Sequence, residues 1–476
     1  MESATYLDVF VLTFNAAKRE IDVPVFARHL HHAFGQNASS LPDLLVISLQ
    51  EMAPLAQAFI GSYVLNPYFQ RYESAVNIAA TKFTAEQERQ NHSKDRPFTL
   101  VTARNVGMTG ILLFTREPDV IQNLQTSEVG FGTGDMANKG AVGLRLVYRK
   151  NSEDGSLLAS TELTFVSAHL AAMEWNLSKR NKNWENIVSG LLFEDPRKMK
   201  RSQRSSAQRT LQSNENSETQ EPLLEQDAAQ VAAQDASIYK PGSHLFVAGD
   251  LNYRLSEKSP ALGSTFPSID PESPNHFSRF LSRDQLTIEK AAGRTLNGLS
   301  EAPIKFPPTY KLVFSSESTP QSEDENSDKI DWTWASHRWP GWCDRILFLD
   351  IPWWVRETVG DVKMNVKAYD AIPPVRSSDH RPVFLRLEVP MLEPAKLLPT
   401  ESVCETELSV DYPQTIDPRI KLPYPIDSGS WKHRAQAKKL ESVIGWSILI
   451  SQSKQGIVAF VVCLLIGLGT WWYRTR

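Results

Sequence analysis

The sequence predicts an α/β fold filling one large domain of about residues 1–390, and three observations lead there. Short apolar, β-rich runs recur along the chain, at 7–14, 44–49, 140–148, 163–167, 245–248, 345–349 and 383–389. Helical periodicity separates some of them, first at 23–34 and again at 181–193. Polar motifs close or open these runs from Asn15 to His380, too wide a spread for separate small domains.

In order, residues 7–14 and 44–49 read as buried strands with an amphipathic helix at 23–34 between them, and 100–115 carries two further strand-like runs. The runs at 140–148 and 163–167 add strands before the helix at 181–193. Residues 194–242 are dominated by Arg, Ser, Gln, Asn, Glu and Ala, with too little large apolar surface to offset the entropy of ordering. They are expected to be a disordered insertion, and the basic run at 197–204 inside them reads as solvated charge. Residues 315–329 form a shorter acidic insertion of the same kind.

After Pro390 the chain turns Pro-rich, and 391–442 is expected to be a linker ending in a basic patch, Trp431 to Lys439. Residues 443–450 are apolar but short, as in an interfacial helix. Residues 456–473 read GIVAFVVCLLIGLGTWWY without a charge. About 17 apolar residues at ~1.5 Å rise reach some 26 Å, enough for a thinner bilayer. With no secretory signal at the start, the expectation is a C-terminal transmembrane helix that anchors the chain to the cytosolic face of a membrane, the endoplasmic reticulum or another endomembrane. The net charge of −4 gives no sign of a polyanion-coating surface, so no nucleic-acid partner is expected. Three widely separated cysteines, Cys343, Cys404 and Cys463, show no disulfide framework or zinc spacing and fit a reducing compartment.

The polar motifs carry the chemistry. Glu51 follows the run 44–49, and a carboxylate at the end of a buried strand suits a hard cation such as Mg²⁺. Asn15 occupies an equivalent strand end. In Phe246-Val247-Ala248-Gly249-Asp250-Leu251-Asn252-Tyr253-Arg254, Gly249 allows a tight turn and strand alternation places Asp250 and Asn252 on one face. Asp250 can orient a water molecule, and Asn252 can hydrogen-bond an oxygen where charge develops. His169, in Ser167-Ala168-His169-Leu170, and His380, in Ser378-Asp379-His380-Arg381, are candidates to contact a phosphate or move a proton, and Asp344 is a candidate partner for a histidine. The set is what metal-assisted phosphate ester hydrolysis requires.

These residues resemble the inositol polyphosphate 5-phosphatases of the endonuclease/exonuclease/phosphatase superfamily. The resemblance rests on Gly249-Asp250-Leu251-Asn252-Tyr253-Arg254, Pro340-Gly341-Trp342-Cys343-Asp344-Arg345, Phe306-Pro307-Pro308-Thr309-Tyr310-Lys311, Asn138-Lys139-Gly140 and Ser378-Asp379-His380-Arg381-Pro382, and covers about residues 6–387. Two positions depart from the family pattern: Val247-Ala248 replaces a tryptophan-containing pair, and Gly341 replaces Ser or Ala. The resemblance implies a four-layered α/β sandwich of two mostly antiparallel sheets between helices, and Mg²⁺-dependent removal of an inositol 5-phosphate. It implies that Glu51 binds the metal with Asn15 in support, that Asp250 and Asn252 position water and phosphate, and that His169 and His380 contact the phosphate with Asp344 behind His380 and Asp379 beside them. It further implies that Tyr310, Lys311 and Arg345 hold a 4-phosphate, while Lys139, supported by Asn138, faces a 1-phosphate. A membrane tether favours a phosphoinositide lipid, phosphatidylinositol 4,5-bisphosphate, as substrate. The competing readings are a neutral sphingomyelinase-like phospholipase and a catalytically inactive phosphoinositide-binding tether.

Overall fold

In β1 (Tyr6–Asn15) nearly every residue is buried, because both faces of the strand are covered. Leu7, Val9 and Val11 point into one apolar cluster, and Phe10, Leu12 and Phe14 point into another. β2 (Leu44–Gln50) repeats the pattern, with Leu44 and Val46 in the first cluster and Leu45, Ile47 and Leu49 in the second. In the computed structural model, which describes residues 5–87, 96–152, 156–195, 230–315, 330–409 and 416–475, these strands sit in a six-stranded sheet of order β13-β14-β1-β2-β4-β3. Its other members are β3 (Thr99–Val106), β4 (Thr109–Thr115), β13 (Asn365–Ala371) and β14 (Val383–Pro390). β1 and β2 run parallel and the remaining pairs antiparallel.

The second sheet has the order β5-β6-β7-β8-β12-β9. It comprises β5 (Ile121–Gly130), β6 (Gly140–Asn151), β7 (Leu157–His169), β8 (Ser243–Asp250), β9 (Leu299–Ser300) and β12 (Asp344–Leu349). Here β7 and β8 are the parallel pair. Phe165, Phe246, Ala248 and Ile346 face the first sheet across the shared core, while Leu245, Val247 and Leu347 face outward onto helix Leu177–Gly190. Helices Val23–Gly35 and Asn66–Gln87 cover the outer face of the first sheet, giving the expected four α/β layers. Helix Val23–Gly35 starts where Asp22 accepts a hydrogen bond from Val25 N at 3.1 Å, and it buries Phe26, Leu30 and Phe34. A short hairpin, β10 (Leu312–Phe314) with β11 (Trp332–Trp334), stands apart from both sheets.

The two sheets are joined by polar atoms as well as apolar ones. Ser48 Oγ on β2 lies 2.7 Å from Ser167 Oγ on β7 and 3.0 Å from Ala248 O on β8, all buried. Gln50 Nε2 donates to Ser48 Oγ at 2.9 Å, closing a fully buried network.

Several expectations change here. Of the insertion expected at 194–242, residues 196–229 lie outside the described residues, but 230–242 is not disordered. Ile238 and Tyr239 are buried against Trp184, and Gln234 donates to Tyr239 O at 3.2 Å. Two apolar side chains in a polar stretch are enough to dock it. Of the second insertion, 316–329 lie outside the described residues. Composition predicts a linker over 391–442, yet Leu397, Arg419, Ile420, Arg434 and Glu441 are buried against the domain. The basic patch and the 443–450 segment belong to one helix, Ser430–Gln452.

The span expected at 456–473 falls on helix Lys454–Thr475, of which the side chains of 455, 457, 459–461 and 463 lie outside the described residues. Among the described residues, no helix is long and apolar enough to cross a membrane. The side chains of Val458, Leu465, Ile466, Leu468 and Trp471 on this helix are exposed.

Candidate active site

The parallel pairs β1/β2 and β7/β8 both end on the same side of the sandwich, and β12 begins there, antiparallel to β8. Register then does the assembly: Asp250 is opposite His169 on β7 and opposite Asp344 on β12. Asn15 ends β1, Glu51 follows β2, and the turn before β14 carries Asp379 and His380. Asn15, Glu51, Lys139, His169, Asp250, Asn252, Arg254, Tyr310, Lys311, Asp379 and His380 line one cavity of about 210 Å³.

Asp250 is the hub. Its Oδ2 accepts from Asn15 Nδ2 at 2.9 Å and lies 3.2 Å from His169 Nε2 and 4.0 Å from His380 Nε2. Burial opposes ionisation of Asp250, but the His169 hydrogen bond and the His380 charge outweigh it and hold the carboxyl well below the usual range. His380 Nδ1 lies 2.8 Å from Asp344 Oδ2, which also accepts from Thr309 Oγ1 at 2.7 Å. Burial pushes the His380 imidazolium down, yet Asp344 and Asp250 raise it to about 9. Burial also raises Asp344, against the pull of His380. Burial and then the nearby Lys139 ammonium lower His169, so the two histidines differ in charge at neutral pH: His380 is cationic and His169 neutral.

Gly249 is part of β8 and makes no turn. A Cβ there would lie 1.9 Å from Ala168 O, so glycine is required for the close approach of β7. Nor does strand alternation align Asn252 with Asp250. The chain leaves the strand, Asn252 takes φ +58°, and its N–H donates back to Asp250 Oδ1 at 3.1 Å. Asn252 Nδ2 donates to Leu170 O at 3.2 Å, with a second N–H on the same nitrogen. Glu51 likewise has a left-handed backbone, φ +44°, a conformation costing about 1 kcal/mol or more that is common where function fixes a side chain. Ser378 secures the last loop: its hydroxyl donates to Asn15 O at 2.6 Å and accepts from His380 N at 3.1 Å.

The cationic rim is built from several elements. Lys139 Nζ contacts His169 Nε2, and burial brings its ammonium down to about 8 against the pull of Asp250 and Glu51. Lys311 pairs with Asp379, whose carboxyl is held low by His380 and Lys311 in spite of burial. The Tyr310 ring stands 4.5 Å from the His380 ring. Asn138 is exposed and lines a neighbouring groove that shares Lys139 with the cavity.

Arg345 does not reach the cavity. It is buried on the other side of β12, 2.9 Å from Asp284 Oδ2 and 2.6 Å from Glu301 Oε2. Side chains alternate across a strand, so Arg345, directly after Asp344, has to face away from it. Arg254 lies at the cavity instead, its guanidinium 4.3 Å over the Tyr310 ring. In the sequence Arg254 closes the Gly249–Arg254 motif with no chemistry of its own to mark it. Its position two residues beyond Asn252 was the available signal. Thr309 and Lys18, the latter 3.1 Å from Glu51, were also missed.

An oxygen set of Glu51, Asn15 and Asp250 in one cavity fits a hard divalent cation. Asp250, Asp344 and His380 place ligand atoms within 4.8 Å of one another, but the Asp344–His380 hydrogen bond already engages two of them. Asn15 is engaged as well, its Oδ1 accepting from Ala17 N at 3.0 Å and its Nδ2 donating to Asp250, so the carboxylate oxygens for a cation come from Glu51 and Asp250 while Asn15 fixes Asp250.

Carboxylates, amides and imidazoles thus gather at one seam of a four-layered sandwich, a set of side chains suited to phosphate ester chemistry. The profile of the Endonuclease/Exonuclease/phosphatase family 2 matches residues 12–386, and the chain belongs to that family. It is similar to the type II inositol polyphosphate 5-phosphatase 14 of Arabidopsis thaliana, 27% identical over 54% of this chain and 20% of that protein. It is also similar to the phosphatidylinositol 3,4,5-trisphosphate 5-phosphatase 2 of Mus musculus, 25% identical over 62% of this chain and 18% of that protein. The matched region spans about a fifth of the length of these relatives. Among solved structures, the inositol polyphosphate 5-phosphatase domain of SPsynaptojanin, in complex with inositol (1,4)-bisphosphate and calcium ion, shares the fold with a TM-score of 0.51 and 21% identity, over 81% of this chain and 85% of that one.

Proposed function

We propose that this chain is a phosphoric monoester hydrolase that removes the 5-phosphate of an inositol phosphate, with phosphatidylinositol 4,5-bisphosphate at a cytosolic membrane face as substrate. One observation carries the reading: a hydrolytic cluster of Asp250, Asn252, His169 and His380 opens onto a rim of Lys139, Arg254, Tyr310 and Lys311. A phosphodiesterase acting on one phosphate has no need of so many cations around it, whereas a ring bearing several phosphates does.

Each residue then has a task. Anionic Asp250 orients a water molecule for in-line attack on phosphorus. His380, held cationic by Asp344, faces the charge that grows on the phosphoryl oxygens, and the free N–H of Asn252 donates to the same group. Neutral His169 keeps its hydrogen bond to Asp250 and fixes that carboxylate. Lys311, Tyr310 and Arg254 meet a phosphate that is not cleaved, and Lys139 meets another. Glu51, with Asn15 and Asp250, would hold Mg²⁺, which when bound polarises a phosphoryl oxygen and stabilises the leaving alkoxide. The exposed apolar side chains of helix Lys454–Thr475 support membrane association, on the endoplasmic reticulum or another endomembrane.

The test is phosphate release by the full chain with Mg²⁺ from a panel of inositol phosphates and from lipid vesicles. Release from 4,5-bisphosphorylated substrates, and none from 4-monophosphates, is the expected result. Phosphocholine release from sphingomyelin would replace the proposal with the phospholipase reading.

A further inference from the structure

Helix Ser430–Gln452 lies against the loop that carries Lys139 and against helix Leu55–Ile60, which follows Glu51, and its contacts with the loop are polar and specific. Glu441 is 2% exposed. Its Oε1 accepts from the backbone N–H of Ala137 at 2.6 Å and from Arg434 Nη1 at 2.7 Å, and its Oε2 accepts from Arg434 Nη2 at 2.6 Å. Arg434 reaches on to Glu128 Oε1 at 2.9 Å and to Asp135 O at 3.2 Å. Ala137 is fully buried and stands two residues before Lys139, in the loop between β5 and β6. A turn later, Gly445 meets helix Leu55–Ile60, which follows Glu51 closely. A Cβ at Gly445 would lie 2.9 Å from Ala56 O and 3.0 Å from Ile60 Cγ1.

We infer that Glu441, fixed by Arg434, is a positioning residue for the Lys139 loop, and that helix Ser430–Gln452 is a brace on which the phosphate-binding rim depends. The physical case is that a buried carboxylate accepting a backbone N–H and a two-pronged guanidinium makes strong, directional hydrogen bonds, while the loop it holds has few others. Within 131–139 the backbone bonds are Phe131 N to Lys139 O, Gly132 N to Met136 O and Asp135 N to Gly132 O, and none of them engages Ala137. The Ala137 N–H therefore depends on a residue 304 positions away. Without it, Lys139 keeps its charge but loses its fixed distance from His169.

This inference rests on the proposed reading only for its kinetic arm, so the experiment has two arms. Full-length E441Q and E441L are compared with wild type by hydrogen–deuterium exchange and by hydrolysis of a soluble 4,5-bisphosphorylated inositol phosphate. Exchange at Ala137 and across 131–139 should accelerate in E441L and less so in E441Q, while β7 and β8 stay protected. KM should rise about tenfold in E441L with kcat lowered far less, and E441Q should recover part of it. Unchanged exchange in both variants overturns the brace, and faster exchange with wild-type KM overturns its link to the rim. If wild type releases no phosphate, the functional reading falls while the exchange arm still decides the brace. E441Q keeps an acceptor for Ala137 N, so at least one variant tests the loop in a folded chain.

Discussion

His380 Nδ1 and Asp344 Oδ2 are 2.8 Å apart, both buried, one at the start of β12 and the other just before β14 in the opposite sheet. The pair joins the two sheets at the cavity and keeps an imidazolium charged up to about pH 9. Asp344→Asn removes the anion and lowers that value. Where the charged imidazole is needed, activity is lost as pH rises through its pKa, so the alkaline limb of the pH–rate profile should move to lower pH in the variant. The fall in kcat at neutral pH should be on the order of 10²–10⁴. An unmoved limb would assign the charge to another group.

Lys311 is the rim residue with the most specific consequence. Lys311→Ala should lower kcat/KM about ten- to hundredfold on a 4,5-bisphosphate, the scale of one charge-assisted hydrogen bond, and much less on a 5-phosphate lacking the neighbouring group. Equal losses on both substrates would place Lys311 at the reacting phosphate.

Arg345 separates structure from catalysis. Arg345→Met leaves Asp284 and Glu301 buried without their cation and should destabilise the fold by about 3–5 kcal/mol in urea titrations. KM of the folded fraction should stay near wild type, since the side chain faces away from the cavity.

His244 gives a pH dependence of stability remote from the site. Burial pulls it down to about 4, partly offset by its contact with Pro390 O at 3.1 Å. The unfolded chain takes up a proton below about pH 6.5 while the folded chain does not until about 4. Stability is therefore full above 6.5 and falls as pH drops toward 4, by roughly 3 kcal/mol from this group. His244→Gln should flatten that slope in unfolding curves taken between these values.

Metal dependence is checked by chelation. EDTA should abolish turnover and added Mg²⁺ restore it, and Glu51→Gln should weaken Mg²⁺ binding in calorimetry with little change in melting temperature in the absence of metal.

The central strands were legible because both of their faces are apolar: residues such as Val9 and Phe10 leave no ambiguity about burial. β5 was not, since it is an edge strand on which Gln122 and Gln125 are only partly buried and Asn123 and Thr126 are exposed. Helix Asn66–Gln87 went unread because its apolar face is diluted by polar residues and its burial is decided by packing on helix Val23–Gly35 and the sheet. At the site, motifs with a chemical reason for each residue type, such as Glu51, Asp250 and His380, could be found one by one. Which side of a strand end a cation faces could not, which is why Arg345 and Arg254 exchanged places. The docking of Glu441 onto Ala137 depends on a contact across 304 positions, which local pattern does not encode.

The hydroxyl bridge between Ser48 and Ser167 lies beneath Glu51 and His169. Because it ties one wall of the cavity to the other through the protein interior, the gap between the walls is coupled to the packing of the core. Adjustment of the cavity's fit then falls to its more exposed edge, where Lys311 pairs with Asp379, since Lys139, Tyr310 and Arg254 each rest against a residue of the floor.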